Sequence, residues 1–85
     1  MKTFYMTFVD DSSPPENRFL GACIVSGKDA KNAHQNTFLF SCNPGGEALI
    51  HDITKMARKI KPKYKNRLLS KEEIDEAFSE ERKLQ

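Results

Sequence analysis

Cys42-Asn43-Pro44-Gly45-Gly46-Glu47 is the stretch on which the reading of the fold turns. Asn43 precedes a proline and is pushed out of the α region, Pro44 fixes its own φ, and the two glycines reach backbone conformations closed to side chains. Pro-Gly at the two central positions suits a type II turn, whose second central residue needs φ > 0. The residues before the stretch read as helix and those after it read as strand, so these six residues predict a sharp helix-to-strand corner. Gly45 is expected to carry the positive φ, and Gly46 to leave room for a ligand. Turns rich in amides also act as anion nests, which makes Asn43, Gly45 and Gly46 candidate ligand-binding residues.

Downstream of the corner, residues 47–53 put Leu49, His51 and Ile53 on one face and Ala48, Ile50 and Asp52 on the other, the period of a strand. Upstream, Ser26-Gly27-Lys28-Asp29 has the S-x-x-D form of a capping box and opens a helix over residues 27–40. Thr37-Phe38-Leu39-Phe40 has strand propensity, so helix and strand both stay open for residues 37–40. Residues 3–9 alternate Phe4, Met6 and Phe8 against Thr3, Tyr5 and Thr7, a half-buried strand. Residues 19–25 are apolar on both faces and read as a fully buried strand. Within it Gly21 and Ala22 are small enough to admit a helix or a ligand. The intervening Ser12-Ser13-Pro14-Pro15 marks a loop.

Near the other end, Ser70-Lys71-Glu72-Glu73 forms a capping box for a helix over residues 71–82, with Leu69 placed to staple against Ile74. Ile74, Ala77 and Phe78 make a narrow apolar stripe on this helix. Between the third strand and that cap, Pro62 interrupts a basic stretch, which reads as a helical turn or two and then an extended piece.

These elements predict one α+β domain over residues 1–85, a three-stranded β-β-α-β sheet with helices on one face plus a C-terminal helix. The expected strand order is 2-1-3, with 1-2-3 as the alternative. Thr3, Tyr5, Thr7 and Val9, with His51 or Asp52, would then lie on an open face, a surface that proteins commonly cover with a second copy.

Composition bounds the function. Apolar residues make up 38% of the 85 and charged residues 31%, so the core is small and self-association is expected to support it. The formal net charge is only +2, but it is unevenly spread. Lys55, Arg58, Lys59, Lys61, Lys63, Lys65 and Arg67 fall in one stretch without an acidic residue, while Glu72, Glu73, Asp75, Glu76, Glu80 and Glu81 crowd the segment after it. The chain enters its first strand directly after Met1-Lys2, without a signal-peptide core, and no apolar run approaches membrane-spanning length. The expected setting is therefore the cytoplasm, with no membrane partner. Cys23 and Cys42 sit in apolar contexts and read as reduced thiols. With His34 and His51 they match no zinc spacing, so no metal or cofactor is assigned.

Asn43-Pro44-Gly45-Gly46-Glu47 together with Asn66-Arg67-Leu68-Leu69-Ser70-Lys71-Glu72-Glu73 resembles a group of short uncharacterised proteins of phage and bacterial genomes. Gly21-Ala22-Cys23-Ile24-Val25 fits the same pattern. The resemblance implies a phage anti-defence context, working in the host cytoplasm, and carries no catalytic motif. Its members' kind includes inhibitors that sequester nucleotide signals and inhibitors that dock on host proteins.

Three functions are expected. The first is a non-enzymatic, homo-oligomeric binder of a phosphate-bearing, nucleotide-type signal. Gly45 and Gly46 amides would meet one part of the anion, Arg58, Lys59 or Arg67 would supply charge-assisted hydrogen bonds, and Tyr5 or Tyr64 would stack on a base. Arg58 and Arg67 are expected to matter most, Lys61 and Lys63 little. The second is a protein–protein inhibitor or adaptor docking on a host protein through its C-terminal helix or a sheet edge. The third is nucleic-acid binding through residues 55–67. No catalytic residue is singled out: His51 and Asp52 adjoin in a strand and point to opposite faces, and nothing beside Cys42 marks an activated thiol.

Overall fold

Phe4, Met6 and Phe8 alternate with Tyr5 and Thr7, and this alternation places the first strand at the centre of the sheet with apolar contacts on both sides. A computed structural model describes residues 1–79. In it β1 (Lys2–Val9), β2 (Phe19–Gly27), α1 (Ala30–Leu39), β3 (Glu47–Asp52) and α2 (Lys71–Ala77) succeed one another, with 3₁₀ turns at Pro15–Asn17, Thr54–Lys59 and Pro62–Tyr64. β1 pairs antiparallel with both neighbours, giving the order β2-β1-β3. The chain is thus a small α+β fold, and α1 carries it across β1 from β2 to β3. No helix among the described residues is long and apolar enough to cross a membrane.

The register sorts the side chains. Phe4, Met6 and Phe8 face the same side as Cys23 and Val25 and pack with Ala33 of α1 and with Cys42. The opposite face is the one expected to stay open, and here the structure differs. Ile24 and Tyr5 are covered by Ile60, Tyr64, Leu69, Ile74, Ala77 and Phe78. The basic stretch does not run away from the body. It folds back through two 3₁₀ turns that bury Ile60 and Tyr64, and the Ile74-Ala77-Phe78 stripe docks on its own sheet.

The start of α1 also differs from the expectation. β2 continues through Gly27, and Ser26 meets Thr3 hydroxyl to hydroxyl at 3.3 Å. The cap is Asp29, whose carboxylate accepts the Asn32 N–H at 2.8 Å, while the Asn32 amide oxygen accepts the Lys28 N–H at 2.9 Å. An aspartate in the β region is a better cap here than a serine already committed to a ladder. At the other end, residues 37–39 are helical. Cys42 N–H donates to the Thr37 carbonyl and Ser41 N–H to that of Phe38, with Ser41 at φ +55°. That is a Schellman closure with serine in the position glycine usually takes, and it overrides the strand propensity of these residues.

α2 begins on the expected box: Ser70 accepts the Glu73 N–H and Glu73 reaches back to Ser70 N–H. The helix closes at Ala77 with Phe78 as its C-cap. Residues 80–82, expected as its continuation, lie outside the described residues. Just before the cap, Leu69 exchanges two backbone hydrogen bonds with Ala22, and Asn66 N–H donates to the Ile24 carbonyl. The small residues of β2 are therefore approached by the chain's own segment, which seals the outer edge of that strand.

Candidate functional site

The corner is built as a turn, and Asn43 and Gly45 are engaged within it. Gly45 and Gly46 have φ +92° and +75°. The Asn43 carboxamide accepts the Gly45 N–H at 2.8 Å and donates to the Thr37 hydroxyl at 2.9 Å, tying the turn to α1. A Cβ at Gly45 would meet nothing within 4 Å. One at Gly46 would overlap the Val9 carbonyl oxygen and lie 2.7 Å from Leu20 Cδ1. The close approach expected for a ligand is made by β1 instead. Beside the turn, a hydrogen bond and the charge of Asp11 hold the Glu47 carboxyl above its usual range, so an anion at these amides would meet carboxylates.

Nor does the basic stretch converge on the corner. Glu47, next to Gly46, pairs with Val9 at the end of β1, whereas Ile53, next to the first basic turn, donates to Thr3 at its start. The two regions are separated by the length of β3, about 20 Å for six residues. Arg67 is spoken for: it pairs with Glu73 and donates to the Lys63 carbonyl at 2.7 Å, and this partner holds the Glu73 carboxyl below its usual range. Tyr5 has Phe78 edge-on at 5.0 Å and His51 stacked at 6.2 Å, so its ring is occupied. Burial, and then the charge of Asp75, raises its hydroxyl.

Two of the expected residues do meet. Lys59 and Tyr64 line one cleft of about 530 Å³, together with Lys61, Lys63, Asp75 and Glu76. The placement comes from the backbone. Ile60 and Lys61 are extended, so Lys59 and Lys61 fall on one side while Ile60 turns into the core. Lys63 then lies with its ammonium 5.1 Å from the Tyr64 ring centre. Tyr64 itself is buried and donates its hydroxyl to Glu76 at 3.0 Å. Arg58 is not among the cleft's residues. Sequence reasoning does not single out Lys61, Lys63, Asp75 and Glu76. The alternation of Lys59 and Lys61 around Ile60 is the signal that could have found Lys61, since residues two apart in extended chain share a face; Lys63 is brought in by the 3₁₀ turn that follows.

Cys23 and Cys42 are both buried and free. Burial pushes both thiols up, that of Cys23 most strongly, with Cys42 beside it adding to the effect. Neither is a thiolate at neutral pH, and the expected result of a thiol-reagent titration is no reaction in the folded protein and reaction of both after denaturation. Rapid modification of either in the native state would contradict this burial. Among the described residues no group of three or more His, Cys, Asp or Glu side chains is placed to hold a metal ion.

No protein-family model, no curated protein and no solved structure matches the chain.

Proposed function

We propose that the protein is a non-catalytic binding protein that captures a phosphate-bearing small molecule of nucleotide type, acting as an inhibitor of the phage kind by withholding that molecule. The supporting observation is the cleft in which Lys59, Lys61 and Lys63 stand with Tyr64, Asp75 and Glu76. Its size falls within the range of small-molecule sites, commonly about 300–1,000 Å³. Ammonium groups serve phosphate oxygens as point charges. Glu76, which accepts the Tyr64 hydroxyl through one oxygen, can accept a ribose hydroxyl or an exocyclic amine through the other, which gives a nucleotide both of its ends. Asn43, Gly45, Gly46 and Arg67 have structural partners and are not part of this reading, and Tyr5 is covered.

Docking through the C-terminal helix loses its motive, because the apolar stripe is used by the fold itself. Binding of nucleic acid is separated from the proposal by its salt dependence.

Calorimetric titration of the full chain with cyclic and linear nucleotides tests the reading. Heat is expected for at least one of them, with Lys61→Ala and Lys63→Ala each weakening it by about tenfold, the effect of one charge-assisted contact. Arg58→Ala should leave it unchanged. No heat for any nucleotide overturns the proposal. Equal losses across all three variants, with affinity falling steeply in salt, would indicate a diffuse polyanion surface.

A further inference from the structure

The two edges of the sheet are treated differently. β2 is sealed by Leu69 and Asn66, whereas among the described residues β3 has no strand on its outer side. The register says which groups it presents there. Ile53 N–H donates to the Thr3 carbonyl, so Ile53, His51, Leu49 and Glu47 direct their backbone groups at β1. The alternate residues Ala48, Ile50 and Asp52 direct theirs outward.

Several of the usual protections of an edge are absent from β3. It contains no proline or lysine, and the sheet's irregularity falls between Phe8 and Val9 against β2 instead. The Asp52 carboxylate is held by its own turn, accepting from Thr54 N–H at 2.9 Å and from the Thr54 hydroxyl at 2.6 Å. In the middle of the strand Leu49 is 52% exposed. Such an edge is a template for another strand.

We infer that the strand it takes is β3 of a second copy, paired antiparallel about Leu49 so that two sheets become one. The inference names the surface for the homo-oligomer expected from the sequence and stands apart from the cleft. In that register Ala48 and Ile50 of one chain exchange backbone hydrogen bonds with Ile50 and Ala48 of the other, about four in all. Leu49 lies opposite Leu49 of the second copy and covers it. Glu47 lies opposite His51 of the second copy, twice, a carboxylate facing an imidazole that can donate to it. The edge Glu47-Ala48-Leu49-Ile50-His51-Asp52 is thus complementary to itself in backbone groups, apolar surface and side-chain hydrogen bonding. A second register, symmetric about Ile50, would set Leu49 against His51 and lose the last two.

Sedimentation of the full chain at high micromolar concentration is expected to give the mass of two chains, and Leu49→Lys the mass of one, with a melt that no longer rises with protein concentration. Leu39→Glu, on a separate exposed apolar patch at the end of α1, should stay at two. Opposed residues at a non-hydrogen-bonded pair lie close enough for a disulfide, so Leu49→Cys should cross-link on mild oxidation and His51→Cys should not. A parent that sediments as one chain, a Leu49→Lys variant that keeps two, or His51→Cys cross-linking as readily as Leu49→Cys overturns the inference. None of these outcomes bears on nucleotide titration, so the cleft and the edge fail separately.

Discussion

Gly46→Val is expected to lower stability by roughly 2–5 kcal/mol, combining positive-φ strain with overpacking against β1. For a domain whose total stability is of the order of 5–15 kcal/mol, that is enough to leave much of the protein unfolded on warming. The cause is local. Gly46 holds φ +75° where a side chain resists it, and its missing Cβ leaves space that the Val9 carbonyl already fills. Val9 cannot retreat without giving up its pairing with Glu47 at the end of the sheet. Gly45 shares the positive φ but faces open space, so Gly45→Ala carries strain alone, roughly 1–2 kcal/mol. Reading the turn type from sequence gives the opposite ranking, because it assigns the backbone demand to Gly45 and a ligand to Gly46. Chemical denaturation of both variants decides the order. A Gly46→Val protein as stable as the parent would disprove the contact with β1.

Phe78→Glu is expected to destabilise the fold by roughly 2–4 kcal/mol, through lost apolar burial and a lost aromatic pair. Taken from the sequence alone, the Ile74-Ala77-Phe78 stripe reads as a docking surface for a second copy, and this change would then dissociate an oligomer. In the structure Phe78 stands edge-on to Tyr5 at 5.0 Å and closes the second core cluster. The new carboxylate would also join Asp75, whose charge is already felt at the Tyr5 hydroxyl. A melt at the parent temperature together with a halved mass would restore the oligomer reading of the stripe. A lowered melt with the parent's mass is the expected result.

The order of elements was legible because each rested on signals read within a few residues. The alternation of Phe4, Met6 and Phe8, the Ser70–Glu73 box and the Pro44-Gly45 turn all appear where the local sequence puts them. The start of α1 was misplaced because two cap-competent residues, Ser26 and Asp29, stand three apart, and only the pairing of β2 with β1 removes the first. The coverage of the second face was illegible for a different reason. Ile60 and Tyr64 are isolated apolar residues among lysines, and nothing local says that they turn inward together. The candidate site suffered most. Arg67 and Tyr5 have chemistry suited to a nucleotide, but Glu73 and Phe78 reached them first. Lys61 and Lys63 looked like solvated charge and yet share a cleft with Lys59 and Tyr64.

The seal that Leu69 places on β2 also sets an order of assembly. The β1–β2 pairing joins neighbours in the chain and can close early, whereas Leu69 must return to Ala22 across the whole α1–β3 crossover and the basic turns. Between those two events there is an interval in which the sheet has both edges bare. A chain cut before Leu69 would be held in that interval permanently, and clumping with its own kind is its expected fate.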